Sequence, residues 1–217
     1  MGKIFALIFL LLSIPSSGFA QTTKFNIDAG ECGERPVVTK TLVWTERQHE
    51  TRMFGRLESV SPKGNSQSGM CHIVYELVAS RRGLPYSTVH RMEEDVDMLM
   101  GQSTGIDLIG FSPDGSKLAA NYWLAQGDWV ENRLVVYDLK SKSATFRSLE
   151  QNLYENVQRE CDGSYWEDIE SVTNKGMIRI AVPPLSGCSN SDGGLWLFDP
   201  KSGDIRKLSP KSGKKPL

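Results

Sequence analysis

The sequence predicts an all-β protein of stacked four-stranded antiparallel sheets with short helices between the repeats. Three observations carry this expectation. Short apolar runs are broken by turns of Gly, Pro, Asp and Ser, the chain repeats itself at about 61 residues, and the apolar period changes at the joins between repeats. The same strands could alternatively be arranged as a β-sandwich.

The first twenty residues read as a secretory signal. Lys3 supplies positive charge, Ile4 to Ile14 form an apolar run, Pro15 breaks it, and Gly18 and Ala20 are the small residues of a cleavage site after Ala20. The run is too short to cross a hydrocarbon core of about 30 Å as a helix. No second apolar run of spanning length follows, so no membrane span is expected and the mature chain is placed outside the cytoplasm, secreted or periplasmic. Cleavage leaves 197 of the 217 residues, enough for a single domain over 21–208 ahead of a basic, flexible tail at 209–217. Losing Lys3 takes the 25 basic residues to 24 against 26 acidic ones, a net charge of −2 that gives the chain no electrostatic reason to seek nucleic acid.

Sliding the chain along itself by 61 residues places Asp107 on Asp168, Gly115 on Gly176, Ala120 on Ala181, Leu134 on Leu195, Asp138 on Asp199 and Lys140 on Lys201 without a gap. A fainter copy lies upstream, where Ile73 to Ser80 matches the run ending at Lys142 and Gly55 to Leu57 precedes Ser116 to Leu118 by 61. The middle unit reads as four strands. The first is Ile106 to Phe111; Pro113 presets φ and Asp114-Gly115 supply the bend into the second, Lys117 to Leu124. A longer connection over 125–132 leads to the third strand, Leu134 to Asp138, and a Lys-Ser turn leads to the fourth, Ala144 to Leu149. Leu134 to Tyr137 and Leu195 to Phe198 are apolar on successive residues rather than alternately, which predicts strands covered on both faces.

Between units the spacing suggests helices. Met92, Val96, Leu99 and Met100 share one helical face, as do Leu149, Leu153 and Val157. The acidic residues Glu93, Glu94, Asp95 and Asp97 then form the solvated side of the first helix.

Four cysteines, Cys32, Cys71, Cys161 and Cys188, read as two disulfides in an oxidising compartment, with three connectivities open. Cys161 precedes the third unit's first strand and Cys188 follows its second, which puts the two at one end of a hairpin, within disulfide reach. That leaves Cys32 for Cys71.

The run Ile109 to Trp123 followed by Arg133 to Leu149 resembles the blade repeat of TolB-like and WD40-like β-propellers, with its F-S-P-D-G turn and later apolar strand ending in Asp. The motif is complete only over 108–149 and partial over 168–208. The resemblance implies propeller-like stacking of about three units, fewer and longer than ordinary blades. A small closed ring, an open stack and a ring completed by a second copy all satisfy that count.

Motifs for chemistry are sparse. No GxSxG elbow occurs, His90 to Glu94 lacks the second histidine of a zinc helix, and no cysteine spacing resembles a metal clasp, so neither metal nor cofactor is expected. Asp138 and Asp199 end strands before Lys-Ser turns and read as turn formers. Asp162, Glu167, Asp168 and Glu170 around Trp166 are the best candidates for a glycosidase-like carboxylate pair, the alternative reading of function. The leading expectation is a non-enzymatic protein that engages a protein or envelope partner. Asp128, Trp129 and Glu131, expected on a long loop at the end opposite the tight turns, are its candidate anchor.

Overall fold

The structure, a computed structural model, describes residues 41–46, 49–63, 69–81, 84–97, 99–127, 129–149, 168–182 and 193–208. Among them are twelve strands in three four-stranded antiparallel meanders and no helix. Sheet I holds β1 (Leu42–Glu46), β2 (His49–Pro62), β3 (Met70–Arg81) and β4 (Ser87–Asp97). Sheet II holds β5 (Gln102–Phe111), β6 (Lys117–Gln126), β7 (Trp129–Asp138) and β8 (Ser143–Ser148). Sheet III holds β9 (Asp168–Val172), β10 (Ile178–Val182), β11 (Gly194–Phe198) and β12 (Ile205–Lys207).

Sheet II lies between the other two. Along β6, Leu118, Ala120, Tyr122 and Leu124 belong to a core shared with Leu57, Ile73, Tyr75 and Met92 of sheet I. Ala119, from the opposite face, joins Leu134 and Val136 in a second core with Ile178, Ile180, Trp196 and Phe198 of sheet III. Two covered faces explain why β7 is apolar on successive residues: Leu134, Val135 and Val136 are all buried, to one side or the other. The described residues show no closure of the three sheets into a ring.

The helix expected over 92–100 is instead the last part of β4 and a turn. Met92 and Val96 do share a face of the core, but four residues is an even interval and satisfies a strand as well as a helix. The residue between them decides the period. Glu94 points the same way and binds Arg133 of β7, while Glu93 and Asp95 lie on the other face, where Asp95 meets His72. Leu99 and Met100 are exposed beyond the strand end. Of the second expected helix, Leu149 is buried directly after β8, and Leu153 and Val157 lie outside the described residues.

The long connection expected over 125–132 is also absent. β6 and β7 stay paired out to Gln126 opposite Trp129, with Gly127 at φ 57, so only two residues separate the paired strands.

The repeat extends to irregularities. In β5, Leu108 opposes Ala120 and Gly110 opposes Ala119, so Ile109 is an extra residue in the ladder. Glu170, which is 61 residues later, is skipped in the same way between Ile169 opposite Ile180 and Ser171 opposite Arg179. Each bulge feeds its strand's inward residues to the core on either side of the kink. The gap-free alignment fails at one place. The first turn closes with Ser112 N donating to Lys117 O in sheet II, whereas Thr173 N donates to Met177 O in sheet III, a turn one residue shorter. Met177 is therefore the counterpart of Lys117, and Ile180 rather than Ala181 that of Ala120.

Both turns need glycine. Gly115 (φ 65) and Gly176 (φ 83) donate to Ser112 O and Thr173 O, each at 2.8 Å. A Cβ on Gly115 would meet the Trp44 ring of β1 at 2.2 Å, and one on Gly176 would sit 3.2 Å from Lys117 Cδ. Gly115→Ala should therefore destabilise the protein by about 2 kcal/mol or more, combining left-handed backbone strain with a clash in packed surroundings. Gly127→Ala, where a Cβ would meet nothing within 4 Å, should cost only about 1 kcal/mol. Urea denaturation of the two variants checks this; equal losses would mean that the Trp44 contact contributes nothing.

Candidate functional site

The turns that end β7 and β11 are built alike. Asp138 Oδ1 accepts the backbone N–H groups of Lys140 and Ser141 at 2.8 and 3.0 Å. Asp199 Oδ1 accepts that of Lys201 at 2.9 Å. Lys142 N donates to Asp138 O and Gly203 N to Asp199 O, closing each turn through a left-handed residue. Both aspartates are thus the turn formers that the sequence suggests.

The side-chain surroundings of the three units then diverge. In sheet II, Lys117 stands directly across from Asp138, and its ammonium donates to Asp138 Oδ2. Sheet I repeats the device with Arg56 across from Glu76, Nε donating to Oε2 at 2.6 Å. In sheet III the corresponding residue is Met177, which has no charge to offer Asp199. The Lys117 ammonium, with the N–H groups of Ser141 and Lys140, holds the Asp138 carboxyl well below the usual carboxylate range.

A cleft of about 350 Å³ opens between sheets II and III at this end. Sheet II contributes Lys117, Val136, Asp138, Ser141, Ser143 and Thr145; sheet III contributes Lys175, Gly176, Asp199, Pro200 and Lys201. Its walls are tied together on two sides. Asp114 N donates to Asn174 Oδ1 at 3.1 Å, and Arg147 of β8 donates from Nε to Pro200 O at 2.9 Å and from Nη2 to Lys201 O at 3.3 Å. These bonds fix the spacing of the two turns, so the polar lining is preorganised. Lys175 and Lys201 are exposed, Asp199 is half-buried, and none of the three makes an ion pair among the described residues. The lining can hydrogen-bond and neutralise a small charged ligand, and it contains no nucleophile set beside a base.

The residues singled out in the sequence are scattered. Trp129 begins β7 at the opposite end of sheet II and is 42% exposed. Glu131 lies within β7 rather than on a loop and accepts from Arg133 Nη2 at 2.6 Å, while Asp128 lies outside the described residues. Asp168 and Glu170 are exposed on β9, where Glu170 is the bulged residue; Asp162, Trp166 and Glu167 lie outside the described residues. Cys71 is buried and disulfide-bonded, and the other three cysteines, Cys32, Cys161 and Cys188, its partner among them, lie outside the described residues. No group of three His, Cys, Asp or Glu side chains placed to hold a metal occurs among the described residues. The cleft lysines were not singled out in the sequence. The available signal was the paired "GRL" and "SKL", which put a cation before the same leucine in two units.

Comparisons with family models, with characterised proteins and with solved structures found no match.

Lys117→Met should lower stability at neutral pH by about 1–3 kcal/mol, because it removes one partner of a half-buried charged hydrogen bond. The folded-state pKa of Asp138 is depressed, so its stabilisation is present above the unfolded value of about 4 and is lost as pH falls through and below it. The gap between parent and variant should therefore narrow below about pH 4, which urea titrations at a series of pH values would measure; a gap independent of pH would contradict the ion-pair account.

Proposed function

We propose that this protein is a secreted or periplasmic, non-enzymatic binding module that holds its partner in the cleft between sheets II and III. The observation that carries the reading is a polar cleft whose two walls are locked by hydrogen bonds from Asp114 and Arg147 and whose lining leaves charges unmatched. Three consecutive meanders packed face to face, together with the blade-like run over 108–149, support a propeller-like scaffold, complete either as an open stack or with a second copy. A propeller-like scaffold alone does not assign an activity, so the site decides. The signal-like residues 1–20 support export, and an envelope protein or other envelope component is the partner class they make available.

The alternative anchor around Trp129 sits at the opposite end of sheet II, and the two can be separated. Charge reversal at Lys175 and Lys201 should abolish capture of a defined partner from envelope extract while leaving the thermal midpoint within a few degrees, because both ammoniums are exposed and unpaired. Trp129→Ala should leave capture intact. The reverse outcome would move the working surface to the other end, and hydrolysis of chromogenic glycosides lost on substituting Asp168 or Glu170 would replace the binding reading altogether.

A further inference from the structure

The repeat identifies what the cleft lacks. Each unit carries a carboxylate at the matching place of the repeat: Glu76 within β3, Asp138 at the end of β7 and Asp199 directly after β11. The first two are matched by a cation directly across the ladder, Arg56 and Lys117. The shortened first turn of sheet III puts Met177 at that position, one step beyond the last paired residues Ile178 and Phe198. Asp199 keeps the oxygen that caps its turn and lines the cleft with no counter-ion among the described residues; Lys175 and Lys201, likewise without an ion-pair partner among them, line the same cleft.

Resting on the reading of the cleft as the binding site, we infer that its ligand is an acidic amino acid, either free or as the first residue of a dipeptide, whose second carboxylate is then the dipeptide's own C-terminus. The ligand's ammonium takes the place beside Asp199 that Arg56 and Lys117 fill in the other units. Its two carboxylates answer Lys175 and Lys201. The charge count selects this class. Two unpaired cations and one unpaired anion are balanced by a ligand carrying two negative charges and one positive; a simple dianion leaves Asp199 facing carboxylates, and a simple amine meets two lysines. The half-buried pair of Lys117 and Asp138 is already neutral and serves as a wall, and Thr145 lines the same cleft. A cleft of about 350 Å³ admits such a residue and leaves room for a following peptide unit.

Calorimetric titration of the full chain with L-glutamate, with glutamyl-alanine and with N-acetyl-glutamate tests the inference. Glutamate or the dipeptide should bind, and N-acetyl-glutamate should bind at least roughly tenfold more weakly, because acetylation removes the ammonium. Binding of glutamate, with or without the dipeptide, assigns a free amino acid; binding of the dipeptide alone assigns a dipeptide. Asp199→Asn retains an oxygen to cap the turn and should weaken the free-amino ligands roughly ten- to a hundredfold while the N-acetyl ligand, relieved of the facing carboxylate, binds no more weakly than before. Met177→Lys supplies the cation found in the other units and should exclude the free-amino ligands to the same extent. Equal binding of glutamate and N-acetyl-glutamate, or an Asp199→Asn variant that binds like the parent, overturns the proposal. So does the absence of binding by every probe at about 10 mM. In that last case, loss of partner capture on charge reversal at Lys175 and Lys201 would leave the cleft as the site and reject only this ligand class.

Discussion

The architecture depends on a middle sheet that is buried on both faces. Sheet II has no solvent side along its central strands, so every position from Leu118 to Tyr122 must suit one of two cores or be satisfied within the ladder. Asn121, the polar exception, faces the sheet III side at 3% exposure and is satisfied in part: its Nδ2 donates to Asn132 Oδ1 at 2.7 Å, while its buried Oδ1 has no partner among the described residues. The bulge at Ile109 is part of the same solution. It lets β5 deliver Ile106 and Leu108 to the core with sheet I and the next residue to the core with sheet III.

Given that stacking, the turn ends of adjacent sheets are brought into register and their differences become functional geometry. Arg81 Nη2 of sheet I donates to Leu139 O of sheet II, and Arg147 of sheet II caps the carbonyls of Pro200 and Lys201 in sheet III. The two joints nevertheless differ. Between sheets I and II the turn glycine meets the flat indole of Trp44, while between sheets II and III it meets the aliphatic stem of Lys117, and space remains beyond it. A loss of one residue in the first turn of sheet III then exchanges a lysine for a methionine and leaves the Asp199 carboxylate, among the described residues, with the Lys201 N–H of its own turn as its partner.

Much of this was legible in the sequence, and the parts that were not have physical reasons. The Pro113-Asp114-Gly115 turn and the Asp138 and Asp199 turns encode their own backbone chemistry and form as expected. Successive apolar residues at Leu134 to Val136 correctly announce two covered faces. Met92 and Val96 mislead because an interval of four suits both periods, and only the orientation of Glu94 towards Arg133 distinguishes them. Gly127-Asp128 is a hairpin signal that a string of polar residues around Trp129 disguises as a loop. The cleft was the least legible feature, because an ungapped repeat places Ile178, not Met177, opposite Lys117 and conceals the change in charge.

The linear order of the sheets also governs how the molecule comes apart. Sheet III is the smallest, with strands of five, five, five and three residues against fourteen, twelve and eleven in β2 to β4. Its described core is shared with sheet II, so its docking is a nearest-neighbour event rather than one distributed through the whole protein. Sub-global opening should therefore begin there. Because sheet III supplies one wall of the cleft, a ligand seated there would hold that end unit in place and would raise the hydrogen-exchange protection of β9 to β12.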